Sequence, residues 1–125
     1  MNPEVEQELR KADAFMREIE QLIGSGLYKA SIERAYYAMF HAATAAMMAK
    51  KAEQGARQAI IPVMDKCLVK TGLLDKKYLG YLRQALNAGK SDSEGAVIGS
   101  SDHKQAQIIM LRTKEFLDAC RKLCE

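Results

Sequence analysis

The chain has 125 residues, 48% of them hydrophobic and 28% charged, with a formal net charge of +3 at pH 7. That length fits a single domain over residues 1–125 with a core that needs no staples, and the composition is ordinary for a soluble globular protein. No run approaches the roughly 18 apolar residues of a membrane span, and the start, MNPEVEQELRKADAF, is too acidic and too mixed for a secretory signal, so a cytoplasmic chain without membrane contact is expected.

Helix-period patterning accounts for most of the sequence. Val5, Leu9, Ala12, Met16, Ile19 and Ile23 recur at alternating steps of four and three, with Phe15 and Leu22 beside them. Pro3 suits the first turn of this helix, and Gly24-Ser25-Gly26 ends it. A second helix, from about Leu27 to Lys50, is apolar on more than one face, which places it centrally in a bundle or against a second subunit. Residues 51–58, KAEQGARQ, read as a loop. A third helix begins near Pro62, because proline is tolerated only in a first turn, and runs through Cys67 and Leu68 to Thr71-Gly72. A fourth carries Tyr78, Leu79, Leu82, Ala85 and Leu86. The stretch 88–101, rich in glycine and serine, has little periodicity and reads as a long connection. Ser101 is the expected cap of the last helix, with Asp102 in its first turn. No strand pattern or repeat is present. Five helices, two of them long, predict an all-α, up-and-down bundle.

Few residue types are left to carry chemistry. Cys67, Cys120 and Cys124 are odd in number and lack framework spacing, so they read as small hydrophobes. A zinc site would need more ligands than His41 and His103 supply, and no phosphate-binding glycine loop or nucleophile elbow is present, so neither a metal nor a cofactor is expected. The sequence pI of 8.8 permits contact with nucleic acid, but charges of both signs are interspersed. Lys50, Lys51 and Arg57 read as a solvated loop, His103 as a surface residue, and Tyr28 and Tyr36 as core or interface aromatics.

The second helix holds the exception. In SIERAYYAMFHAATAAMMAK, residues 31–50, Arg34 and His41 are seven positions apart, so on a helix they share one stripe about 10 Å from end to end. Tyr37 lies between them, Ser31 and Ala38 sit one turn from Arg34, and alanines near the stripe allow another backbone to come close. Neither residue has a carboxylate partner on its own helix. A guanidinium suits phosphate as well as carboxylate, and an imidazole is the side chain best matched to proton transfer near neutral pH. Together they suit metal-free RNA cleavage, Arg34 steadying phosphate charge and His41 moving protons, with a symmetric dimer supplying two histidines. The alternative on residues alone is a structural one: Arg34 pairs with an acid on another helix, and His41 is a satisfied packed residue.

The segment SIERAYYAMFHAATAAM closely resembles the signature helix of the HEPN family, in its branch of small stand-alone proteins. The similarity extends to LVKTGLLDKKYLGYLRQAL and, more loosely, to the first and last helices. The resemblance implies an all-α bundle that dimerises through the motif helix, with Arg34 and His41 as its Arg-x6-His motif. It implies a metal-independent endoribonuclease, the toxin of a toxin–antitoxin pair whose antitoxin is a small nucleotidyltransferase. Arg34 and His41 are then the catalytic candidates, with Tyr37 and Ser31 as binding contacts for RNA or a nucleotide. The chain departs from the family's pattern at Ala35, where many active relatives carry a polar residue. It departs also at Ala43, where relatives that the antitoxin adenylylates carry tyrosine, and at Gly89 and Ser93, where an arginine and a tyrosine are usual. Those departures suit an alternative, a non-catalytic module that binds a nucleotide or a nucleotidyltransferase.

Overall fold

The computed structural model describes residues 2–51, 60–90 and 100–125, all of them in helices, turns and their flanks, with no strand among them. Helix α1 spans Pro3–Gly24, α2 Tyr28–Ala49, α3 Ile60–Met64, α4 Lys77–Lys90 and α5 Ser100–Leu123. The expected all-α bundle of five helices is present. Three helices are long rather than two: α1 and α2 have 22 residues each, and α5 has 24.

Helix α1 starts where its sequence says it should. Pro3 occupies the first helical position, and the Asn2 side chain accepts the Glu4 N–H at 2.7 Å, satisfying one of the donors a helix start leaves orphaned. Its periodic residues Val5, Leu9, Ala12, Met16 and Ile19 are buried. The chain leaves through Gly26, whose φ of +78° is a left-handed conformation that costs glycine little. It then turns back into α2, antiparallel to α1.

Helix α2 is the centre of the bundle. Ten of its residues, from Ser31 to Met47, are buried, most of them alanines. Alanine has the highest helix propensity, and its short side chain lets α1, α4 and α5 all approach the same helix. Lys50 caps it, and Lys51 follows with a φ of 55°.

Residues 52–58 of the predicted 51–58 loop, and Ala59 after it, lie outside the described residues. Helix α3 carries Pro62 in its first turn and continues into a π-helical turn over Asp65–Val69, in which the Lys70 N–H reaches the Asp65 carbonyl at 2.8 Å. Gly72 at φ +81° then redirects the chain, and Asp75 accepts the Lys77 N–H at 2.8 Å where α4 begins. Helix α4 reaches Lys90 and α5 begins at Ser100, so both helices extend into the predicted 88–101 connection, and residues 91–99 lie outside the described residues. Ser101 is therefore within α5 rather than its cap.

Helix α5 runs alongside α2 in the same direction: the Tyr28 and His103 rings meet at 4.9 Å near one end, and Cys124 joins Ala45, Val5 and Leu9 in a small cluster at the other. The main core lies between, with Met39, Met47, Met64, Leu68, Leu82 and Phe116 almost fully enclosed. The buried hydroxyls of Ser31 and Thr113 are both satisfied, by the carbonyls of Tyr28 at 2.6 Å and Ile109 at 2.7 Å. No described helix is long and apolar enough to cross a membrane.

Candidate functional site

The Arg34–Tyr37–His41 stripe of α2 faces α1, and it meets a stripe of the same spacing. Glu8, Lys11, Phe15 and Glu18 recur on α1 at steps of three, four and three, so they too share one side of their helix. Because α1 and α2 are antiparallel, the two rows meet end to end. Glu8 reaches His41, Phe15 covers the middle, and Glu18 reaches Arg34.

The tightest of these contacts joins Glu8 Oε2 to His41 Nδ1 at 2.6 Å, between side chains only 18% and 14% exposed. The Lys11 ammonium lies 3.8 Å from the other Glu8 oxygen. Phe15 stacks on His41 with ring centroids 5.7 Å apart and on Tyr37 at 5.6 Å, while Phe40 meets His41 edge-on at 5.4 Å. The imidazole is therefore held by one hydrogen bond and two aromatic walls. Among the described residues only its Nδ1 is hydrogen-bonded, and no buried side-chain nitrogen there lacks a partner. Nε2 is the ring nitrogen without a partner among the described residues.

Arg34 is held far more loosely. Its Nε lies 3.8 Å from Glu18 Oε1, and the two side chains are 37% and 48% exposed. An exposed pair at that distance contributes little and competes weakly for the guanidinium, whose terminal nitrogens carry most of its donors. Tyr37 is half-buried beneath Phe15 and edge-on to Tyr36. Ser31 is on a different side of α2: it is buried, and its hydroxyl donates to the Tyr28 carbonyl.

An acid on another helix paired with Arg34, and a satisfied His41, are what the structural alternative expects; which acids supply them, Glu18 and Glu8, single-helix spacing does not show. The Glu8–Lys11–Phe15–Glu18 periodicity was available as a signal, lying one position from the core face Val5–Leu9–Ala12–Met16–Ile19. Ala35 and Ala43, two of the departures from the family pattern, are fully buried, so polar side chains there would enter the core. Gly89 lies within α4, and Ser93 is outside the described residues.

His103 is packed on Tyr28 rather than simply solvated. All three cysteines are free, and burial pushes the thiols of Cys120 and Cys124 up. Among the described residues no group of three or more His, Cys, Asp or Glu side chains is placed to hold a metal ion.

A second polar cluster ties α4 to α5. Glu115 receives the Lys77 ammonium at 2.6 Å and the hydroxyls of Tyr78 and Tyr81 at 3.1 and 3.2 Å. The Lys77 hydrogen bond holds the Glu115 carboxyl below the usual carboxylate range, whereas burial raises the Tyr78 phenol. Beside it an open cleft of about 410 Å³ is lined by Leu74, Asp75, Tyr78, Asp118 and Lys122, among others.

A helical bundle whose central helix sets an arginine and an oriented histidine two turns apart is a recognisable class of fold and motif. Residues 5–123 match the HEPN domain, and the chain belongs to the HEPN domain family. A UPF0332 protein of Pyrococcus horikoshii is 30% identical to it over 79 residues, 63% of this chain and 56% of that protein. A UPF0332 protein of Archaeoglobus fulgidus is 32% identical over 72 residues, 58% of each chain. The matched stretch spans a little over half the length of these curated relatives.

Proposed function

We propose that this protein is a metal-independent endoribonuclease of HEPN type that works as a homodimer through α2. The observation that carries the reading is the state of His41, a ring walled by Phe15 and Phe40 and tethered at Nδ1, which leaves Nε2 for proton transfer. Arg34 stands on the same stripe with its side chain 37% exposed, in reach of a phosphate.

In the reaction, His41 Nε2 takes the proton of an RNA 2′-hydroxyl as that oxygen attacks the adjacent phosphorus. The bond from phosphorus to the 5′-oxygen breaks, and that oxygen takes a proton from the same imidazole of a second copy. The products are a 2′,3′-cyclic phosphate and a free 5′-hydroxyl. Arg34 stabilises the charge that builds on the non-bridging oxygens, and Tyr37 lines the groove. No redox step or activated water is required.

The biological setting is a toxin–antitoxin pair, with a small nucleotidyltransferase as the antitoxin. Ala43 removes the tyrosine that such a partner would modify, so restraint by binding fits this chain better than restraint by adenylylation.

A second reading, a non-catalytic module that binds a nucleotide or the nucleotidyltransferase itself, draws on a specific observation. Glu8 and Glu18 give both motif residues partners within the chain, and Ala35 is turned into the core. RNA cleavage in EDTA by the purified protein, with His41→Ala and Arg34→Ala beside it, separates the two. Cleavage that both substitutions abolish in folded protein supports the ribonuclease. RNA left intact by the wild type, with nucleotide bound in an Arg34-dependent way, supports the module.

A further inference from the structure

We infer that Glu8 is the positioning residue of this site: its carboxylate accepts the Nδ1–H of His41 and so makes Nε2 the nitrogen that exchanges protons with substrate. The inference rests on the ribonuclease reading for its kinetic consequence and on geometry alone for its chemistry.

An ionised carboxylate can only accept hydrogen bonds, so at 2.6 Å the proton between the two groups belongs to Nδ1. A neutral His41 must then carry its proton on Nδ1 and present a bare Nε2, which is the form a general base needs. A protonated His41 keeps the same bond and presents Nε2–H, which is the form a general acid needs. One contact therefore serves both roles that two copies of the ring take in a dimer.

The surroundings show why the contact is kept. Glu8 and His41 are both largely buried, so a rotated imidazole would forfeit a charge-assisted bond inside the protein rather than exchange it for water. Phe15, parallel to the ring at an interplanar angle of 6°, and Phe40, edge-on at 86°, resist that rotation. Lys11, 3.8 Å from the second Glu8 oxygen, sets a positive charge on the side of the carboxylate away from the ring. By contrast, a tie that merely joined α1 to α2 would be indifferent to which ring nitrogen it used.

The test is nitrogen-resolved NMR of the imidazole rings at neutral pH in the whole protein, alongside steady-state RNA cleavage. The chain has two histidines, and the His41 signals are those that His41→Ala removes. In the wild type His41 is expected as the Nδ1–H form. Glu8→Ala should move it toward the Nε2–H form that free imidazoles prefer, and should lower kcat by about 100-fold or more with KM nearly unchanged. Glu8→Gln, whose amide can donate to a bare Nδ1 as well as accept from Nδ1–H, should no longer fix the proton and should admit the Nε2–H form, whereas Glu8→Asp should keep the tautomer and restore part of the rate.

An Nε2–H ring in the wild type overturns the inference. So does a tautomer that Glu8→Ala leaves unchanged in a protein whose circular dichroism shows it folded. A wild type that cleaves no RNA overturns the ribonuclease reading instead, and the tautomer measurement then decides the Glu8 assignment by itself. If Glu8→Ala fails to fold, the wild-type spectrum decides it: an Nδ1–H ring supports the inference and an Nε2–H ring overturns it.

Discussion

Phe15 on α1 lies parallel to His41 on α2, with ring centroids 5.7 Å apart, and the same ring stacks on Tyr37. One aromatic side chain thus holds two of the three stripe residues in place. Phe15→Leu keeps much of the buried area and removes the stacking, so it should cost about 0.5–1.5 kcal/mol in chemical denaturation. In cleavage assays it should lower kcat more than it changes KM, because the ring loses a wall without losing a phosphate contact. A kcat unchanged by Phe15→Leu would separate the stack from the chemistry.

Glu18 is the one described acid beside the Arg34 guanidinium, and the pair is too exposed to contribute much stability. Glu18→Gln should change the unfolding free energy by no more than about 0.5 kcal/mol. It should also tighten binding of a short RNA, most at low salt, since a competing negative charge has left the phosphate's path. Fluorescence anisotropy across a salt series checks both the sign and the salt dependence.

The Glu115 cluster makes the α4–α5 contact dependent on pH. The folded-state pKa of Glu115 is lowered, so its contribution is present above the ordinary carboxylate range and is lost as pH falls through the folded value. Those of Lys77 and Tyr78 are raised, so theirs is present below their ordinary values and is lost at strongly alkaline pH. Glu115→Gln should therefore bring the stability of the protein closer to that of wild type as the solution is acidified. Denaturant melts from neutral to acidic pH measure that convergence, and a gap that widens on acidification would contradict it.

Gly80 lies exposed within α4, and a Cβ built there meets nothing within 4 Å. Gly80→Ala should raise stability by about 1 kcal/mol through helix propensity alone, with the midpoint of urea unfolding as the readout.

The helices themselves were legible because their signals are local. Periodic Val5–Leu9–Ala12–Met16–Ile19, Pro3 at a first turn and the Gly24–Gly26 exit each depend on a few neighbouring residues, and α1 begins and ends where they say. The alanine-rich second helix, apolar on several faces, suited the centre of a bundle or a second subunit, and the structure places it at the centre, against α1, α4 and α5. Boundaries were less legible where composition was ambiguous: α4 and α5 run on into a glycine- and serine-rich stretch, since helices already packed on α2 can carry a few poor formers at their ends.

The sequence by itself determined the fold class and the shared stripe of Arg34, Tyr37 and His41, because a helix of known pitch sets which of its own side chains lie together. Only the tertiary structure decided what faces that stripe. The antiparallel register of α1 against α2 brings Glu8 to His41 and Glu18 to Arg34 across 33 and 16 positions of chain. The burial of Ser31, whose hydroxyl bonds the Tyr28 carbonyl of its own helix, is likewise a property of the packed bundle. Register depends on how two apolar faces interlock along their whole length, a property of the pair of helices that neither helix carries alone.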